Sequence, residues 1–223
     1  DIYREKVSGN PLLMEIALSS SELQTQISQG RWNYFLPSRA LKKTEIQALR
    51  YLTILPLEGM KKEKFLKCSK IKEKVMERLI TMSLVKEVKE SYQLHPVIAE
   101  SIECAYPATQ ENCKTFLHGL FLEYTNIWNA PYHKVTKAVP VCLEILKKWE
   151  HKKAWLAQEY DAFATVLWIG GYFNESLNSM KELYEECENY YGKIHQITGF
   201  VSLRVAAVYH NSMRFEQARG WYE

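Results

Sequence analysis

Tyr92-Gln93-Leu94-His95-Pro96-Val97-Ile98 is the stretch whose reading decides the fold. Tyr92 and Leu94 alternate as in a short strand, whereas Pro96 is preset for the first turn of a helix continuing through Val97, Ile98 and Ile102. His95 therefore stands at a strand-to-helix corner. Such corners aim a side chain and backbone N–H groups at whatever packs across them, anions included. The bland alternative is a histidine that hydrogen-bonds only within its own turn.

Working outward towards the N-terminus, Leu84–Val88 and Tyr92–Leu94 flank Lys89-Glu90-Ser91 as a β-hairpin. Before it, Ile71, Val75, Leu79 and Met82 recur at helical spacing, and a short helix over Lys61–Cys68 carries Phe65 and Leu66. Thr44 with Gln47 reads as a capping box, followed by Ile46, Leu49 and Leu52 until Pro56 and Gly59 stop the helix. Three helices followed by a hairpin is the order of a winged helix, a relative of the helix-turn-helix. Upstream, Asn10 can cap a helix with Pro11 at its first position and Leu12, Leu13, Ile16 and Ala17 on its apolar face. Ser19 with Glu22 opens a second short helix that ends before Gly30. This helical piece is too small to fold alone, which predicts further sequence upstream.

Beyond about Glu111 the chain reads as helical throughout, and its last part repeats. Phe173-Asn174-Glu175-Ser176 matches Phe215-Glu216-Gln217-Ala218 at an offset of 215 − 173 = 42, which also relates Ala164 to Ala206 and Val166 to Val208. Self-similarity at that period marks a helical-hairpin solenoid. Small residues (Ala164, Ala206, Ser176, Ala218) let two helices approach, and the aromatics Phe173 and Phe215 are expected to plug the gap.

Bulk properties agree with a folded helical protein. The 223 residues are 47% hydrophobic and 25% charged, with only 9 Gly and 7 Pro, which excludes disorder and collagen-like repeats. A net charge of +3 and a pI near 8.5 do not by themselves call for nucleic acid or membrane. Five scattered cysteines without a Cys-x-x-Cys pair point to a reducing, cytoplasmic home. No run approaches the roughly 18 apolar residues of a membrane span, and Asp1-Ile2-Tyr3-Arg4 does not open a signal peptide. The start without methionine and the close at Trp221-Tyr222-Glu223 within a helical pattern predict a piece of a longer protein.

Two resemblances rest on these residues. The 42-residue unit, good from about Ala154 onward, resembles a tetratricopeptide repeat of the lengthened kind found in kinesin light chains and many bacterial sensors. Tyr191-Gly192 and His195 fall where that subclass often has Gly and His. The second covers Ser8-Gly9-Asn10-Pro11-Leu12-Leu13, then Leu52-Thr53-Ile54-Leu55-Pro56-Leu57-Glu58-Gly59, then Leu94-His95-Pro96-Val97, followed by repeats. In this order they resemble the C-terminal half of a signal-transducing NTPase of the NB-ARC (STAND) class. The resemblance implies that Pro11 packs on the adenine of bound nucleotide and that His95 reaches the β-phosphate of ADP and holds the closed state. Leu94 and Pro96 replace the Met and Asp of the family's Met-His-Asp signature, in a Leu-His-Pro form that resembles bacterial members.

The expected fold is mainly α, with three domains: residues 1–38, the C-terminal piece of a helical domain with its Gly-x-Pro segment; 39–108, a winged helix with a small β-hairpin; and 109–223, an α-α superhelix of tetratricopeptide-like repeats. No Gly-x-x-x-x-Gly-Lys-Ser/Thr phosphate loop occurs, so no cofactor is expected in this chain; ADP or ATP with Mg belongs to the full-length protein. No active site is expected either. His95, His118, His133, His151, His195 and His210 form no zinc-like spacing with the cysteines, and a Gly-x-Ser-x-Gly elbow is absent. The expected function is that of a regulatory and sensor fragment. The winged helix clamps nucleotide on an intramolecular NTPase domain, the repeats bind a protein or peptide, and activation brings oligomerisation. Two alternatives stand beside it, a DNA-binding winged-helix regulator with a repeat sensor and a plain repeat scaffold. Lys61, Lys62, Lys64, Lys67, Lys70, Lys72 and Lys74 favour the first of these. Lysine attracts phosphate but reads bases poorly, and Glu63, Glu73 and Glu77 dilute the field, so a solvated face is preferred over nucleic acid.

Overall fold

A computed structural model describes residues 41–124, 130–149 and 151–223, so the readings at Asn10, Pro11, Ser19, Glu22 and Gly30 lie outside the described residues. Among the described residues the chain is mainly helical with a small antiparallel sheet. It divides into two compact units, residues 1–116 and 117–223.

In the first unit, α1 (Lys43–Thr53), β1 (Met60–Lys61), α2 (Lys62–Ser69) and α3 (Glu73–Thr81) are followed by β2 (Val85–Val88), β3 (Ser91–Leu94) and α4 (Pro96–Ala105). The strands pair antiparallel in the order β1-β3-β2, with Met60 opposite Tyr92 and Val85 opposite Leu94. The strand β1, two residues long, is too short to show a period in sequence. Gly59 makes it possible: its φ of +71° turns the chain back so that Met60 pairs with Tyr92. The hairpin turn is tighter than the sequence suggests, because Ser91 already belongs to β3 and only Lys89 and Glu90 turn, at φ 49° and 61°. Two successive left-handed residues match the twist of the strands, and neither is the Gly or Asn that such a turn prefers.

The core of this unit is an aromatic cluster inside an aliphatic shell. Phe65 meets Tyr92 edge-on at 5.7 Å, and Tyr51 stacks on Phe116 at 4.5 Å. Leu49, Leu52, Met76, Leu79, Ile98 and Ile102 close around them, all buried. Two helix readings are corrected, one at a cap and one on a core face. The N-cap of α1 is Lys42, and the side chain that reaches back is Glu45, whose carboxylate accepts the Lys42 N–H at 2.7 Å, so Thr44 and Gln47 are not the capping pair. On α3 Leu79 of the expected row is buried, but the residue buried one turn before it is Met76 rather than Val75, which is half-buried. Arg50 Nε and Gln47 Nε2 donate to the carbonyls of Tyr106 and Asn112 at 3.1 and 2.6 Å, tying α1 to the chain just after α4.

The second unit begins within α5 (Gln110–Tyr124). It continues through α6 (Tyr132–Lys147), a 3₁₀ turn (Ala154–Leu156), α7 (Ala157–Ile169), α8 (Phe173–Tyr191), α9 (Gln196–Asn211) and α10 (Phe215–Tyr222). From α6 onward each helix packs on the next, and α7 also touches α9. Ala164, Ser176, Ala206 and Ala218 are all buried, and the Ser176 hydroxyl donates to the Ala164 carbonyl at 2.7 Å across the α7–α8 contact. The aromatics of the repeat do not plug that contact: Phe173 is 39% and Phe215 57% exposed. As the first residue of its helix, each points back past the turn, and Leu177, Met180 and Leu183 fill the α8 side instead. Among the described residues no helix is long and apolar enough to cross a membrane.

Candidate functional site

The corner singled out in the sequence is built from both sides. Tyr92 and Leu94 point into the core from β3, and Ile98 and Ile102 anchor α4 into the same core. The residue between them is fixed by its neighbours. His95 is the N-cap of α4, with extended φ −68° and ψ 139°, and its carbonyl accepts the Ala99 N–H at 2.9 Å. Its side chain is half-buried, and Nδ1 accepts the Val97 N–H at 3.3 Å.

That bond determines the chemistry of the ring. An Nδ1 that accepts carries no proton, so in the neutral imidazole the proton sits on Nε2, which becomes a donor. Nε2 has no partner among the described residues. The backbone offers little beside it. Pro96 has no N–H, Val97 gives its own to His95, and of the first helical positions only Ile98 retains one. The sequence expectation that backbone N–H groups would face an anion here is therefore narrowed to the imidazole. Near this corner a cavity of about 60 Å³ is lined by Leu52, Thr53, Leu55, Pro56, Leu94 and Ala99 among others. The His95 ring does not line it, and the walls are mostly apolar, so it is a small packing void rather than a phosphate recess.

The second residue expected at the site, Pro11, lies outside the described residues, so the two are not brought together here. Of the lysines on and around α2 and α3, Lys61, Lys67, Lys70, Lys72 and Lys74 are exposed and Lys64 is half-buried. Lys62, however, is held by Glu73 at 2.5 Å and Glu87 at 3.9 Å. Arg78 is held by Glu45 at 2.9 Å, with the Glu45 side chain only 3% exposed.

Three polar contacts were missed in sequence. Asp161 is buried on α7 and accepts from Arg204 Nε of α9 at 2.9 Å; Arg204 also donates to the Thr165 hydroxyl. Burial pushes the Asp161 carboxyl up, against the pull of the Arg204 charge and hydrogen bond. Lys152, with a side chain only 2% exposed, is paired with Glu182 of α8. The third is the Glu45–Arg78 pair. The available signal was a charged residue amid apolar ones, Asp161 between Tyr160 and Phe163, but nothing in sequence names a partner 43 residues away (204 − 161).

Of the large aromatics in the second unit, Tyr190 is exposed while Trp149, Trp155, Trp168, Tyr184 and Trp221 are half-buried. Tyr184 meets Trp221 edge-on at 5.0 Å, joining α8 to α10. Among the described residues no group of three His, Cys, Asp or Glu side chains is arranged to hold a metal ion. Comparison with protein-family models, with curated proteins and with solved structures finds no match for this chain.

Proposed function

We propose that this chain is the regulatory and sensor part of an ATP-dependent signalling switch of the NB-ARC (STAND) type. Residues 39–108 act as a winged helix that clamps nucleotide held by an NTPase core outside this chain. The helices from 109 onward act as tetratricopeptide-like repeats that bind a protein or peptide partner. ADP or ATP and Mg are held by that core, and no catalytic group is assigned here. The observation that carries the reading is His95, whose Nδ1 is engaged by the Val97 N–H while Nε2 is left as a donor without a partner among the described residues. A donor fixed by its own helix cap is suited to hold a phosphate oxygen without reorganising. Supporting it are the helix–helix–helix–hairpin order of α1 to β3 and the 42-residue recurrence of α8 at α10, 215 − 173. Partner binding to the repeats favours the open state, ADP leaves, ATP enters and the protein oligomerises, as a two-state element biased by differential affinity.

The test has two steps. The coding sequence for about 300 residues before Asp1, the length such a core needs, is expected to contain a Gly-x-x-x-x-Gly-Lys-Ser/Thr loop, and its absence ends the reading. In protein carrying that core, His95→Ala is expected to release ADP about 10–100-fold faster, from loss of one charge-assisted hydrogen bond. Unchanged release would show that His95 does not touch the nucleotide.

The exposed lysines favour one second reading, a DNA-binding winged helix. Against it, the single arginine of α3 is held by Glu45 and Lys62 is held by two carboxylates, which removes the side chains best placed to read bases. A gel shift that weakens steeply with salt supports this reading, and no shift at low salt refutes it.

A further inference from the structure

A cavity of about 460 Å³ lies between the start of α1 and the outward face of α3. Its walls carry Lys42, Lys72 and Lys74, each exposed and each without an ion-pair partner among the described residues. Two carboxylates share the lining, but they are not equivalent. Glu45 is spoken for, by Arg78 at 2.9 Å and by the Lys42 backbone N–H at 2.7 Å. Cancelling that pair leaves three ammonium groups against Glu77 alone, a net of 3 − 1 = +2 on one cavity. Like charges gathered in one concavity repel, and a multiply charged anion relieves the repulsion.

We propose that this cavity binds a compact phosphorylated small molecule, a phosphate monoester or a pyrophosphate. The volume lies in the small-ligand range. Lys42, Lys72 and Lys74 supply charge, the exposed Thr44 hydroxyl supplies a further hydrogen bond, and Val75 with the lysine stems supplies apolar wall. The Glu45–Arg78 pair, buried at its Glu45 end and exposed at Arg78, ties the start of α1 to α3, so the two walls are held together before any ligand arrives. A compact ligand is favoured over a nucleic-acid backbone because the positive field does not continue as a stripe. Glu63, Glu73 and Glu77 interrupt it on α2 and α3, and Glu73 and Glu87 hold Lys62. This inference does not depend on the nucleotide contact proposed for His95.

The test uses the whole 223-residue chain and inorganic pyrophosphate, titrated by calorimetry at low and high salt. Saturable one-site binding is expected, weakened about tenfold or more, or 1.4 kcal/mol per tenfold, in Lys72→Ala/Lys74→Ala and strengthened in Glu77→Gln. Neither lysine caps a helix through its side chain or pairs with a carboxylate among the described residues, so the double variant is expected to melt like the native chain. Lys86→Ala/Lys193→Ala removes two exposed lysines elsewhere and is expected to leave binding unchanged. No saturable binding overturns the proposal, as does binding that Lys72→Ala/Lys74→Ala leaves intact. A short DNA duplex that binds more tightly than pyrophosphate, with a steep salt dependence, also overturns it, in favour of a nucleic-acid surface.

Discussion

Replacing Gly59 by alanine tests the link between the turn after α1 and the corner at His95. Gly59 has a φ of +71°, and a Cβ there would lie 1.9 Å from the Tyr92 carbonyl oxygen and 2.8 Å from its carbon. A left-handed conformation alone costs an L-residue roughly 1–2 kcal/mol. The clash adds to this, because both partners are backbone and no rotamer relieves it. Reaching a contact of 3.4 Å requires a separation larger by 3.4 − 1.9 = 1.5 Å, which parts Met60 from Tyr92 and loosens the edge contact of Tyr92 with Phe65. A lost ladder hydrogen bond and a weakened aromatic pair add about 1–2 kcal/mol, for a total of about 2–4 kcal/mol. Gly171→Ala is the control. At φ +89° its Cβ would meet nothing within 4 Å, so only the conformational cost, about 1 kcal/mol, is expected. Urea unfolding followed by far-UV circular dichroism measures both. Alkylation of Cys68 and Cys113, which are buried in the first unit, reports where the Gly59 variant loosens. If Gly59→Ala unfolds within about 0.5 kcal/mol of the native chain, the close approach of β1 to Tyr92 is refuted.

Lys89→Asn/Glu90→Gly supplies the residues that two left-handed turn positions prefer, and is expected to raise the stability of the first unit by about 1 kcal/mol in the same melts; no gain argues against the tight turn. Asp161 gives a pH dependence of defined sign. Its folded carboxyl is raised by burial, so the folded state binds the proton more tightly and this group's stabilisation falls as pH rises from the ordinary carboxylate range through the raised value. The stability difference between the native chain and Asp161→Asn is therefore expected to shrink over that interval, and a flat or rising difference contradicts the burial of Asp161. Mass spectrometry after brief alkylation should find Cys104, the exposed cysteine, modified first. Cys187, pushed up to about 11 by burial and the Glu186 charge, and Cys142, pushed up by full burial, should resist, and early labelling of either refutes their packing.

Helical periodicity made most elements of the fold legible. The hairpin, the start of α4 at Pro96 and the 42-residue recurrence of Phe173 at Phe215 (215 − 173) could be read because each depends on local pattern or turn chemistry. The misses have physical causes of a different kind. Two-residue β1 exists only because β3 is there to pair with it, so its cause lies in Tyr92 rather than in Met60. Glu45 replaced Thr44 and Gln47 in the cap of α1 because its carboxylate is neutralised by Arg78, 33 residues away (78 − 45). Phe173 and Phe215 looked like core by composition, but a first-turn residue projects back towards the preceding turn, away from the helix–helix seam. At the candidate site, the position of His95 and the option of a bond within its own turn were legible, but which ring nitrogen makes that bond was not. The free cations around Lys72 became a cavity only once α1 was laid against α3.

The cap at His95 has an internal comparison in His195, and it limits what the cap alone can mean. His195 caps α9 with nearly the same dihedrals, φ −71° and ψ 143°, and its Nδ1 accepts the Ile197 N–H at 3.2 Å. Capping is therefore a structural task that histidine performs twice in this chain, and each His→Ala change is expected to cost about 1 kcal/mol for that reason. The surroundings separate the two. The His195 ring lies flat on Tyr191, with centroids 4.6 Å apart at 12°, and the residue after it, Gln196, retains a backbone N–H that an anion could use. His95 is followed by Pro96, which removes that N–H and makes the imidazole the principal donor of its corner. A contact to nucleotide must then be lost in His95→Ala and kept in His195→Ala, although the two variants lose the same cap. Equal effects on ADP release would reduce both histidines to caps, and the winged-helix clamp would have to rest on other residues.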